Sequence, residues 1–307
     1  MKTGRDRTHG KTILVGEHAV VYGKPAIAIP FKGVWLEVTV RPADEDHITC
    51  VFHTGTMNTA PSGLKPVTTL YYRLKKHLGL PPCAVIIEST IPTGSGLGSS
   101  AAAASALTGA MYQSASKHLD IETRFEWTQF AETIAHGNPS GIDARATTQN
   151  QAFYFIKDKD LKPFDSRLDA WLVLGDSGES SDTKKAIHAV RRTLEDKRNV
   201  RLVDNLAEIT DKAYSAYINN DAKTLGNLMN GAQVNLEALG VATPNIKAMT
   251  VAALENGALG AKLTGGGMGG FVIALAPSEH QAVAIRDTWV KEETKDVFIL
   301  DLSKEVP

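Results

Sequence analysis

Four stretches of this 307-residue chain have the residue types and spacing to do chemistry. The first is PTGSGLGSSAAAA at residues 92–104, with Gly94, Gly96 and Gly98 at every second position, then Ser99 and Ser100 heading an alanine run. Glycine is costly to order, so its concentration here points to a loop with a geometric task. Such a loop lets backbone N–H groups converge and feeds a helix N-terminus, where free N–H groups and the dipole favour an anion. Ser99 and Ser100 either cap that helix or face a Mg²⁺ bound to phosphates. A plain turn with capping serines stays open as the alternative. The second stretch, AETIAHGNPSGIDA at residues 131–144, puts Glu132 late in a helix and Asp143 eleven residues on, across a turn forced by Gly137 and Pro139. Phosphoryl transfer asks for one carboxylate on Mg²⁺ and often another beside the attacking hydroxyl. Against this, Ser140 and Asp143 fit a capping box, the stronger reading of Asp143 taken alone, and a helix glutamate is usually exposed.

The third stretch, HGKTILVGEHAVVYGKPA at residues 9–26, brackets an apolar run with Lys11 at its head and Glu17 and His18 at its far end. A carbon substrate bearing a carboxylate and hydroxyls would use such groups as donors and positioners. Alone, Lys11 also fits a solvated strand-end lysine and His18 a hydrogen-bonded turn histidine. The fourth, AKLTGGGMGGFVIAL at residues 261–275, is a strand, glycine turn, strand unit with five glycines. A tight hairpin accounts for two of them; the rest fit a second loop facing phosphate.

Several function classes drop out. The literal GxGxxG at residues 265–270 precedes the strand-like FVIALA rather than a helix, which excludes a dinucleotide fingerprint. No lysine lies between residues 92 and 116, so the first loop is not a Walker A loop. With 33 Lys+Arg against 34 Asp+Glu the net charge is -1, which offers nucleic acid or an anionic membrane no attraction. Two cysteines, Cys50 and Cys83, form neither a disulfide framework nor a zinc pattern and are expected as buried thiols. MKTGRDRTHGKTILVG lacks the apolar core of a signal peptide, and no apolar run reaches the roughly 18 residues of a membrane span. A soluble, cytoplasmic protein with a small-molecule partner is expected; the sequence leaves a homodimer open.

Strands are expected at residues 11–16, 25–31, 34–40, 47–52, 84–90 and 151–157, with helices near 65–79, 99–117, 122–136 and 141–149. After the polar, Pro-containing segment 158–167 come a strand at 170–176, helices near 181–197, 201–219, 221–239 and 244–257, two strands about the glycine turn, a helix at 278–293 and a last strand. This mixed order argues for α+β with two domains, cut near residue 165.

Taken together and in order, KTILVGEHAVVYGKPA, PTGSGLGSSAA and KLTGGGMGGF resemble the three motifs of the galactokinase, homoserine kinase, mevalonate kinase and phosphomevalonate kinase (GHMP) superfamily, over essentially the whole chain. Within it, GEHAVVYGKPAIA followed by HGNPSGIDA is similar to the mevalonate kinase branch. The resemblance implies a two-domain GHMP kinase fold, α+β, with a ribosomal protein S5 domain 2-like N-terminal domain (residues 1–165) and a ferredoxin-like C-terminal domain (166–307). It implies ATP and Mg²⁺, and mevalonate as the alcohol phosphorylated. By the same resemblance Asp143 is the base for the substrate hydroxyl, Lys11 stands near it and the transferred group, and Ser100 and Glu132 are the Mg²⁺ partners. Glu17 and His18 join Lys11 and Asp143 around mevalonate. Pro92, Thr93, Gly94, Ser95, Gly96, Leu97, Gly98, Ser99, Ser100, Ala101 and Ala102 wrap ATP. The family's third motif is commonly GAGGGG-like, whereas this chain carries Met268 there; Arg5 and Arg7 of GRDRTHGK match no assigned role.

Overall fold

The first half of the chain forms, in the computed structural model, β1 (Gly4–Val15), β2 (Pro25–Pro42), β3 (His47–Cys50), β4 (His53–Thr56), α1 (Lys65–Leu78), β5 (Cys83–Ser89), α2 (Ser99–Ser114), α3 (Ile121–His136), α4 (Ile142–Thr148) and β6 (Ala152–Ile156). Then follow β7 (Lys162–Phe164), β8 (Trp171–Asp176), α5 (Thr183–Glu195), α6 (Val200–Ile218), α7 (Ala222–Ala238), α8 (Pro244–Glu255), β9 (Gly260–Thr264), β10 (Phe271–Ala276), α9 (Glu279–Lys291) and β11 (Val297–Asp301). The structure describes all residues except 138, 158, 160, 166, 182, 292, 293, 295 and 305–307, and only the backbone of 183 and 184. Asn138 of the HGNPSGIDA stretch and residue 166 of the expected domain cut thus lie outside the described residues. No helix among the described residues is long and apolar enough to cross a membrane.

Contacts group the chain into two compact units that interleave in sequence instead of parting at one point near residue 165. One holds Met1–Lys11, Val34–Pro92 and Gly98–Asn150; the other holds Thr12–Gly33, Thr93–Leu97 and Gln151–Pro307. The chain changes unit inside two long strands, β1 and β2, which a cut by sequence position does not anticipate.

In the first unit, β4 pairs antiparallel with β3, β3 runs parallel to β5, and β5 pairs antiparallel with β2 through Val38↔Ile87. Val67, Leu70, Tyr71, Leu74 and Leu78 recur at helical spacing and give α1 one buried face, and Gly79 ends the helix at φ 68. Helix α2 is buried on nearly every side, which its alanines permit by letting α1, α3 and α4 approach closely.

In the second unit, β8, β9, β10 and β11 form an antiparallel sheet in the order β11-β8-β10-β9. Numbering these four from β8, the order is 4-1-3-2 with helices after the first and third strands, the ferredoxin-like arrangement. The N-terminal part of β2 pairs there with β6, and β6 with β7.

Three expectations need correction. The runs at 25–31 and 34–40 are one strand, because Lys32 and Gly33 continue the extended backbone instead of turning it. Strand β1 begins at Gly4, so Lys11 lies within it and not at its head. GRDRTHG hides a strand because its charges are paired: Arg5 and Arg7 both hold Glu37 of β2, at 2.6 and 3.0 Å, and the Arg7 guanidinium stacks 4.1 Å over Trp35. Burial works against the Glu37 charge, but these hydrogen bonds outweigh it and keep the carboxyl below its usual range. Finally, Cys83 is buried but Cys50 only partly so, and both thiols are free.

Candidate active site

In the first unit, four of the expected residues meet. Lys11 is 3% exposed, and its Nζ lies 2.5 Å from Asp143 Oδ1. The capping-box alternative for Asp143 fails: the N-cap of α4 is Gly141 at φ 88, so Asp143 is the second helical residue, one short of the position a capping box needs. Ser140 Oγ instead accepts the Ile142 N–H at 3.4 Å. The Thr8 hydroxyl donates to the Thr147 carbonyl at 2.7 Å and His9 Nε2 pairs with the Gln149 carbonyl at 3.0 Å, holding β1 against α4. A Cβ on Gly98 would stand 3.0 Å from Lys11 Cγ, so the bare glycine leaves room for the lysine stem.

Glu132 is 2% exposed, not the solvated helix carboxylate that residue type alone suggests. It follows Thr128 by four residues and Ala131 by one, on the buried face of α3. Burial, then the nearby Asp143 charge, pushes its carboxyl up to about 7, while the Ser100 hydroxyl bond and Lys11 oppose this. Oε2 has His136 Nε2 at 3.7 Å, but Oε1 is buried with no hydrogen-bond partner among the described residues. A buried carboxylate oxygen without a donor, beside a serine hydroxyl, suits a small hard cation. Among the described residues no cluster of three or more His, Cys, Asp or Glu side chains exists that could hold a metal alone. Mg²⁺ usually takes one or two carboxylates and completes its shell with water and substrate phosphates.

The glycine loop begins in the second unit and ends in the first. Gly94, Gly96 and Gly98 all have positive φ, at 70, 78 and 81°, so their alternate spacing reflects alternate left-handed turns, the geometry that gathers N–H groups toward an anion. Gly98 is the N-cap of α2 and makes no side-chain cap bond, so Ser99 is not the cap that serines at this place suggested. Ser99 and Ser100 open the helix; Ala101 and Ala102 have buried side chains and present only backbone. In the second unit, Ser95 Oγ accepts the Leu97 N–H at 3.2 Å, and the Gly94 carbonyl accepts the Ser181 N–H at 3.2 Å. A Cβ on Gly270 would lie 3.0 Å from the Ser95 carbonyl, so the two glycine stretches pack side by side. Met268 takes φ 54 and donates its N–H to the Val241 carbonyl at 2.7 Å, a left-handed position filled without glycine.

Glu17 and His18 also belong to the second unit, both buried. His18 Nε2 donates to the Gly266 carbonyl at 2.8 Å. Burial pushes its imidazole down to about 4, with Lys262 adding to the shift and the Gly266 carbonyl resisting it, so the ring is neutral at pH 7. Glu17 pairs with Lys262 of β9, a lysine with no exposed surface that sequence reasoning passed over. Its signal was a lone charge in an otherwise uncharged strand.

Known proteins with this chemistry match closely. The family model described as GHMP kinases N terminal domain matches residues 66–150, and GHMP kinases C terminal matches 202–295. The mevalonate kinase of Thermococcus gammatolerans is 33% identical over 96% of this chain and 95% of its own, and that of Pyrococcus furiosus 32% over the same shares. Among solved structures, a mevalonate kinase from methicillin-resistant Staphylococcus aureus superposes with TM-score 0.77 at 27% identity, covering 99% of this chain and 100% of that one. The L. major mevalonate kinase in complex with R-mevalonate gives 0.81 at 25%, covering 96% and 94%. With both family models matched and relatives of this identity aligned along nearly the whole length, the chain belongs to the GHMP kinase family, among its mevalonate kinases.

Proposed function

We propose that the protein transfers the γ-phosphoryl group of ATP to the 5-hydroxyl of mevalonate, with Mg²⁺, giving 5-phosphomevalonate and ADP for isoprenoid synthesis. The observation that carries the chemistry is the 2.5 Å Lys11–Asp143 pair in the same unit as Glu132 and Ser100. Asp143 takes the proton of the 5-hydroxyl as that oxygen bonds to the γ-phosphorus and the bond to the leaving ADP oxygen breaks. Lys11 keeps Asp143 oriented and neutralises charge that develops on the transferred group. Glu132 and Ser100 would hold Mg²⁺, which would supply neutralisation of the nucleotide phosphate charge. Residues 92–102 wrap those phosphates with backbone N–H groups, and Glu17 and His18 position mevalonate. Little covalent work is asked of the protein, so alignment and charge neutralisation supply most of the acceleration.

The test is ADP release with mevalonate, phosphomevalonate and galactose as parallel substrates. Mevalonate-dependent release well above the other two is expected; its absence overturns the assignment.

A further inference from the structure

Glu17 is 1% exposed, and a carboxylate is almost never buried so deeply without a cation. Its cation is Lys262, whose Nζ bonds Glu17 Oε1 and donates to the Leu263 carbonyl at 2.5 Å. Two residues along, Thr264 Oγ1 accepts the Ile13 N–H at 3.1 Å, donates to the Ile13 carbonyl at 2.9 Å and stands 3.1 Å from Thr12 Oγ1. Two residues further, the Gly266 carbonyl takes the His18 ring N–H. Positions 262 and 264 therefore present one side of β9 to segment 12–18, as the two-residue period of a strand requires, and the following loop adds the Gly266 carbonyl.

Between its two clamped side chains the segment makes a sharp γ-turn. The Ala19 N–H donates to the Glu17 carbonyl at 2.6 Å, and His18 sits at φ 60, ψ -41. This turn class is rare and strained, and a non-glycine residue holds it only where its surroundings over-determine it. A buried ion pair is also a poor device for stability, since apolar residues of similar volume usually do as well. Charge and strain placed together point to positioning.

We propose that Lys262 is a positioning residue for the alcohol substrate: by clamping Glu17 it fixes the strained turn that sets the His18 ring. This rests on the reading that Glu17 and His18 position mevalonate. With its Nε2 proton committed to Gly266, the neutral His18 ring keeps Nδ1 as a hydrogen-bond acceptor, a fit partner for a substrate hydroxyl.

The experiment compares wild type, Lys262→Met and Lys262→Met/Glu17→Gln, varying mevalonate and ATP separately, with stability measured by urea denaturation. The double variant removes both charges at similar volume and is the one expected to fold. It should show a mevalonate KM raised tenfold or more with the ATP KM within twofold of wild type. A double variant with the wild-type mevalonate KM makes the pair purely structural and overturns the proposal, as does an equal rise in both KM values. If neither variant folds, Lys262→Arg, which keeps the charge but not the ammonium geometry, is subjected to the same two criteria. A wild-type enzyme with no mevalonate turnover refutes the function itself, a result distinct from any of these.

Discussion

Replacing Glu132 with Gln should make the nucleotide-free protein more stable while removing its activity. In the folded chain this carboxyl is pushed from 4.5 to about 7 by burial and by Asp143. The folded state therefore holds a proton that the unfolded chain has released between those values, so stability falls as pH rises through the window from about 4.5 to about 7. At 1.36 kcal/mol per unit, that loss is about 1 kcal/mol at pH 5 and about 3 kcal/mol at pH 8. Glutamine carries no such penalty, though its weaker bond with Ser100 gives back about 1 kcal/mol. Urea denaturation without nucleotide should then show Glu132→Gln about 2 kcal/mol more stable than wild type at pH 8 and nearly equal at pH 5. Turnover should fall by about a hundredfold or more, since a cation that neutralises phosphate charge loses its buried ligand. A variant less stable than wild type at pH 8, or one within tenfold of wild-type turnover, refutes the reasoning.

Asp143→Asn should lower turnover by roughly a thousandfold, within the usual span for loss of a general base, while calorimetry finds ATP affinity little changed. Retained turnover would reduce Asp143 to a structural partner of Lys11. His18 is held down near 4 against 6.5 when unfolded, so its contribution is complete above pH 6.5 and is lost as pH falls toward 4, by up to about 3 kcal/mol. Lowering the pH from 7 to 5 should therefore raise the stability of His18→Gln relative to wild type by about 2 kcal/mol in urea denaturation, and an unaltered difference between the two proteins would count against a buried neutral ring. Gly98→Ala puts a Cβ at φ 81 and 3.0 Å from Lys11 Cγ; about 1–2 kcal/mol of stability and much of the turnover should go, and a silent substitution would deny the loop its strain.

Most elements were legible because periodicity is a local property. The spacing of Leu70, Leu74 and Leu78 and the glycine after them give α1 and its end directly. What stayed hidden depends on partners distant in sequence. The first half of β1 reads as a charged arm until Arg5 and Arg7 are set against Glu37, some thirty residues away. Asp143 fits a helix cap as well as a base until Lys11 arrives from β1, and Lys262 draws no notice until Glu17, 245 residues earlier, is found on it. Ser99 and Ser100 each fit the cap position until the backbone shows Gly98 occupying it. The motifs drew out the candidate residues, and tertiary pairing shows which of them meet.

The charges of the first unit also bear on how the proposed Mg²⁺ would bind. Lys11, Asp143 and Glu132 set one cation against two carboxylates, one of them close to half-protonated at neutral pH. On the reading that Glu132 and Ser100 hold Mg²⁺, the dication would enter with the nucleotide, whose phosphates supply further oxygens. Binding would then drive off the proton Glu132 retains, because only the ionised carboxylate is a good ligand. Calorimetry of Mg²⁺-ATP binding in buffers of differing ionisation enthalpy should therefore report the release of about half a proton at pH 7 in wild type. Glu132→Gln should release none from this position. Equal proton release in the two proteins would mean that Glu132 does not meet the metal, and the assignment of Ser100 beside it would fall as well.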